Sequence, residues 1–136
     1  MRRALLLAAF LALPTAIAFA GTQFAGTQSV ASFLASKPVP GRYEVVAFVV
    51  GSFECPPCPE GAQCEPCPPD AVYVADKPTS SPLTFDRLTG TELVLGTKRP
   101  SALRFGGRYR FTFELTTMKT SGRAINDLSL IEAQSL

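Results

Sequence analysis

Four cysteines at positions 55, 58, 64 and 67 are the residues best suited to chemistry, and they form one block, C-x2-C-x5-C-x2-C, with no cysteine elsewhere. Three chemistries fit that pattern. An even number of cysteines in an exported chain reads as disulfides, and two bonds here allow three pairings. If the flanking segments form a hairpin, opposite positions face each other across the loop, which favours the nested pairing Cys55–Cys67 with Cys58–Cys64. The second chemistry is a metal site, since paired CxxC motifs supply the four thiolates of a zinc ribbon. Ribbons separate the pairs by about 15–20 residues, however, and here five must turn the chain, with Gly61 the flexible one. The third is thiol exchange at Cys-Pro-Pro-Cys. That needs a thiolate stabilised by a cation or a helix N-terminus, whereas Pro59-Glu60 follow and no base lies between Tyr43 and Asp76. Disulfides are the expected state, with metal handling or thiol–disulfide chemistry at Cys55, Cys58, Cys64 and Cys67 as the alternative.

Nothing else in the chain assembles a catalytic set. Histidine is absent, which removes the commonest general base, the usual serine and cysteine triads and most catalytic zinc sites. Asp70, Asp76 and Asp86 lie in turn-rich segments, where aspartate ordinarily accepts hydrogen bonds from the backbone. No phosphate-binding or dinucleotide glycine pattern is present, and Gly106-Gly107 reads as a turn before a strand. The expectation is a protein that is not an enzyme and needs no cofactor.

The compartment follows from the first twenty residues. Met1-Arg2-Arg3, the apolar run 4–13 and the small-x-small site Ala18-Phe19-Ala20 are the parts of a secretory signal peptide in order. The apolar stretch is interrupted by Pro14 and is short for a span of about 20 residues, so no membrane span is expected after cleavage. A periplasmic or secreted location in a bacterium follows. Removing Arg2 and Arg3 takes the thirteen basic residues to eleven, equal to the eleven acidic ones. A formally neutral mature chain argues against nucleic acid as the partner. The charge is segregated nonetheless. Six acids and no base fall between Glu44 and Asp76, and six bases with one acid between Arg87 and Arg110. Of the two readings, a basic binding patch and two solvated faces that partly neutralise each other, the second is preferred, since surface charge usually serves solubility.

The elements that must position these groups are mainly strands. In the segment 21–40, Ser29 precedes Val30, Phe33 and Leu34, an i, i+3, i+4 set for a short helix stopped by Lys37-Pro-Val-Pro-Gly41. Residues 42–54 form a long strand rich in β-branched and aromatic residues, with Gly51 marking a bend. Six prolines forbid regular structure across the cysteine block. Strands are expected again at 71–75 and 91–95, with Leu83 and Phe85 in the intervening loop packing as plugs. At 108–116, Tyr109, Phe111, Phe113 and Leu115 alternate with Arg108, Arg110, Thr112 and Glu114, a half-buried strand. A short strand at 127–132 follows the Ser121-Gly122 turn.

Five strands in antiparallel order with a long first member fit an all-β, OB-like Greek-key barrel, with a short N-terminal helix and a Cys/Pro-rich loop between strands 1 and 2. The expected division is a signal peptide at 1–20, an N-terminal segment at 21–40 and the barrel domain at 41–136. Over residues 41–133, the order long strand, cysteine block, short strand, Gly-Gly-Arg-Tyr-Arg-Phe-Thr-Phe and Ile-Asn-Asp-Leu-Ser-Leu resembles small exported bacterial proteins with one such barrel. That resemblance implies a fold and no assigned chemistry. On a barrel of this kind Tyr109, Phe111 and Phe113 belong to the core face, leaving Tyr73, Arg108 and Arg110 as the candidates to face a ligand or protein partner. The functional expectation is an exported, disulfide-stabilised binding or structural module.

Overall fold

The computed structural model describes residues 26–120 and 123–136, with 118–120 and 123–126 as backbone alone. The expected signal peptide at 1–20 and the expected turn at Ser121-Gly122 lie outside the described residues. The described chain is mostly β, with five strands, one short α-helix and two single 3-10 turns.

Strand β1, Gly41–Phe53, organises the rest. Its first part, from Gly41 to Phe48, pairs antiparallel with β4, Arg108–Thr120, and its last part, from Phe48 to Phe53, pairs antiparallel with β2, Ala71–Ala75. The handover coincides with a register shift between Val49 and Gly51. An extra residue there bends and twists the strand, so one strand serves two partners in a closing sheet. β3, Leu93–Gly96, then pairs with β2, and β5, Arg123–Ser135, pairs with β4 along its length. The strand order β1-β2-β3-β5-β4 returns to β1, and the sheet closes in a ring.

Closure is weakest between β3 and β5, which share one pair, Gly96 with Ser129, in parallel orientation. The expected all-antiparallel order is corrected at this seam. β5 is also much longer than the expected 127–132, because β4 and β5 continue pairing out to Thr120 and Arg123. A bulge sets Thr112 opposite Glu132 but Phe113 opposite Leu130, which leaves Ile131 unpaired and 46% exposed. β3 begins two residues late, because the Glu92 carboxylate accepts hydrogen bonds from the Thr89 and Gly90 N–H groups and holds 89–92 as a turn.

Inside the ring, the alternating residues of four strands meet. Val45, Ala47 and Val49 of β1, Val72 and Val74 of β2, Leu93 and Leu95 of β3, and Phe111, Phe113 and Leu115 of β4 form the main core. Each of these side chains except the smaller Ala47 contributes roughly 1.5–3 kcal/mol by leaving water. The helix α1, Val30–Ala35, adds Val30 and Phe33 to this core. The Phe33 ring stands edge-on to Tyr43 at 4.9 Å and to Phe113 at 5.1 Å. Leu34, the third member of the expected apolar set, stays 40% exposed.

A second apolar layer lies on the outer face of β1 and β2. Val50, Ala71 and Tyr73 are buried there against Phe48, Phe53, Leu83, Leu88 and Val94. The connection 76–92 supplies the cover. The Leu83 N–H donates to the Val50 carbonyl at 2.7 Å, and a Cβ on Gly51 would lie 2.3 Å from the Leu83 carbonyl oxygen. Glycine at 51 is therefore required by a backbone resting on it as well as by the bend. Of the two expected plugs, Leu83 packs and Phe85 does not. Phe85 is 68% exposed, and Leu88 takes its place because the 3-10 turn Phe85–Arg87 rotates the chain between them.

Candidate functional site

The loop 54–70 carries both disulfides in the nested arrangement, Cys55–Cys67 with Cα atoms 5.8 Å apart and Cys58–Cys64 at 6.0 Å. Its tip turns at 59–62, where Ala62 N–H donates to Pro59 O and Gly61 takes a φ of +79°. Residues 56–69 are all exposed. A segment that buries so little cannot hold one conformation by packing, so the covalent bonds must do it. Closing a loop of twelve residues removes about 3 kcal/mol of unfolded-state entropy on the chain model.

Asp70 fastens the base of that loop. One carboxylate oxygen accepts from Cys55 N–H at 2.7 Å, and its own carbonyl accepts from Thr97 N–H at 3.0 Å. The stem of the cysteine loop is thereby tied to the chain leaving β3. Asp76 does comparable work elsewhere. Its two oxygens accept from Val30 N–H at 2.7 Å and Ala31 N–H at 2.9 Å, while Ser29 Oγ accepts from Ser32 N–H. Three of the otherwise unpaired donors at the start of α1 are so satisfied. Asp86 is exposed, and a hydrogen bond from the Thr84 side chain holds its carboxyl below the ordinary value. All three aspartates serve local structure. The four sulfurs are joined in pairs, so no described thiolate is free to attack or to ligate.

The expected ligand-facing residues separate. Tyr73 is not a surface contact: it is 2% exposed beneath Leu83, and burial pushes its phenol above the ordinary value. The outer face of β2, where the side chain points, is covered by the protein's own connection. Arg108 and Arg110 do share a face, being register partners of Phe48 and Val46 on β1. Each leans on a neighbour. The Arg108 guanidinium lies 5.8 Å from the Phe48 ring centroid, and Arg110 Nε sits 3.5 Å from Glu44 Oε1. Glu44 also accepts a hydrogen bond from the Thr27 hydroxyl. Phe111 and Phe113 are wholly buried, and Tyr109 is partly buried with its hydroxyl accepting from Arg104 N–H.

An open groove of about 760 Å³ lies beside the β3/β5 seam. Asp70, Thr97, Lys98 and Arg99 form one wall, with Asp127 and Ser129 of β5 on the other. Among the described residues neither Lys98 nor Arg99 makes an ion pair. Sequence reasoning did not single out this groove, although a dibasic pair directly after a strand was visible. The basic segment is thus divided: Lys98 and Arg99 line the groove, while Arg108 and Arg110 lie over β1.

Two disulfides suit an oxidising compartment, and no described helix is long and apolar enough to cross a membrane. No family model, curated protein or solved structure matches this chain.

Proposed function

We propose that the protein is an exported, disulfide-stapled OB-like β-barrel acting as a binding module rather than an enzyme, with its ligand site in the groove at the β3/β5 seam. The strand order, with β1 shared between β2 and β4, supports the OB-like reading. One observation carries the site. The outer face of β1 and β2 is covered by the chain's own 76–92 connection, whereas the groove is open, holds Lys98 and Arg99, which make no ion pair among the described residues, and abuts the braced stem of the cysteine loop. Two cations set among Thr97, Ser129, Asp70 and Asp127 suit a small polar ligand with an anionic group. The stapled loop supplies a preformed wall, which lowers the ordering cost of binding.

The experiment is a screen of the mature chain against glycan and oligonucleotide arrays, repeated with Lys98→Ala/Arg99→Ala and, as a control, Arg108→Ala. A hit lost in the double variant and kept in the control supports the groove. Equal binding by all three chains refutes it, and a response that vanishes for every oligonucleotide at moderate salt reports phosphate attraction alone. A thiol–disulfide or metal-handling role for the cysteine block is the second reading. Mass spectrometry with alkylation, before and after mild reductant, separates the two: four free thiols with a stoichiometric metal favour the second.

A further inference from the structure

β5 is bordered unequally. One edge pairs with β4 from Arg123 to Ser135, whereas the other meets β3 at the pair Ser129–Gly96 alone. The cause lies at the end of β3. Thr97 N–H donates to the Asp70 carbonyl at 3.0 Å, so the chain leaves β5 there and turns toward the stem of the cysteine loop. β5 continues. From Leu130 to Ser135 no strand lies beside its second edge, and no turn or loop backbone hydrogen-bonds to it among the described residues. The stretch faces solvent: Ile131 is 46% exposed, and Glu132, Gln134 and Ser135 are exposed as well. The groove at the β3/β5 seam opens onto its first residue, Leu130, with Lys98 and Arg99 on the opposite wall.

We propose that an extended peptide adds here as a strand, hydrogen-bonded to β5 beyond Ser129 and carrying an acidic side chain toward Lys98 and Arg99. This deepens the groove reading above and rests on it. An unpaired strand edge offers N–H and C=O groups that recur every two residues, about 6.8 Å apart, and an extended backbone returns the same groups at the same repeat. A sugar or a nucleotide does not. Charge gives the peptide its sign. Lys98 and Arg99 make no ion pair among the described residues, whereas the nearby acids are engaged or set apart. Asp70 accepts from Cys55 N–H, Glu132 accepts from the Gln134 side chain at 2.9 Å, and Asp127 lies on the other side of the Ser129–Gly96 pair. Ile131 gives an apolar residue on the added strand a cross-strand neighbour.

The test is an NMR titration of the mature chain, with amide hydrogen exchange, using a five-residue peptide of alternating valine and glutamate blocked at both ends, and its valine–lysine counterpart. Saturable shifts at 97–99 and 129–135 are expected with the glutamate peptide, together with slowed exchange of amides within 130–135. On an added strand alternate N–H groups face β5. Methylating the nitrogens of one alternate set should therefore weaken binding about tenfold or more, and methylating the other set should change it little. Lys98→Ala/Arg99→Ala should weaken the glutamate peptide about three- to tenfold, leaving it no better than the lysine peptide. Strand addition is overturned, and the groove reading kept, if neither peptide binds, if the two methylated forms bind equally, or if shifts reach 97–99 without protection of 130–135. Both are overturned if the double variant binds the glutamate peptide as wild type does. Protection of 130–135 that grows with protein concentration before any peptide is added also overturns the proposal, since a second copy then occupies the edge.

Discussion

Two long connections in this molecule solve the same problem by different means. The 76–92 connection between β2 and β3 and the 54–70 loop between β1 and β2 are both rich in turn-forming residues and lack α-helix or strand. The first is held by burial: Leu83 and Leu88 press on Val50 and Tyr73, and Leu83 is hydrogen-bonded to the bulge of β1. The second buries almost nothing and is held by two disulfides and the Asp70 carboxylate. A loop with apolar side chains can be fixed by solvent exclusion, while one made of Pro, Glu, Gly and Cys has to be fixed covalently. The consequence for function is that the first loop hides a face of the sheet and the second stays open to solvent.

The largest expected effect breaks the packed side of this comparison. Gly51→Val should cost more than about 3 kcal/mol in a urea titration, since its Cβ would meet the Leu83 carbonyl and the Tyr73 ring. Recovery of native stability in that variant would mean that the 76–92 connection does not rest on β1. On the covalent side, Cys55→Ser/Cys67→Ser should cost about 2–3 kcal/mol, with faster amide exchange confined to the loop and its stem. Loss of protection throughout the ring would show that the staple supports the core as well.

Smaller effects sharpen the contrast at the points where single carboxylates brace the chain. Asp76→Ala should remove about 1–2 kcal/mol by leaving the Val30 and Ala31 N–H groups unpaired, read as selective loss of the 26–37 amide protection. The smallest effect is a pH dependence. Burial alone would raise the Glu92 carboxyl, but hydrogen bonds from Thr89 N–H and from the Thr91 and Thr89 hydroxyls outweigh it and hold the group below its ordinary value. A carboxyl depressed on folding stabilises the folded state above its unfolded pKa, and that contribution is lost as pH falls through the lower folded value. Wild type should therefore exceed Glu92→Gln by a few tenths of a kcal/mol at neutral pH, with the gap closing in acid, as measured by melting temperature.

Legibility in the sequence depended on whether a signal was local. The alternation of Tyr109, Phe111, Phe113 and Leu115, the bend at Gly51 and the short helix after Ser29 could be read because each depends on a few neighbouring residues. The nested cysteine pairing followed from hairpin symmetry across a short loop. Tyr73 could not be placed this way. The pattern Ala71 to Ala75 shows two apolar faces without telling what covers the second, and the cover comes from Leu83 and Leu88, ten and fifteen residues on.

The sequence by itself determined the element types, the bend of the first strand and a loop that packing could not hold. Tertiary structure alone decided that β3 meets β5 in parallel through one pair, that Asp76 caps a helix 46 residues before it, and that Lys98 and Arg99 part company from Arg108 and Arg110. The physical reason is range. Propensity and periodicity act over a turn or a strand, whereas closing a ring brings together residues whose types carry no mark of one another.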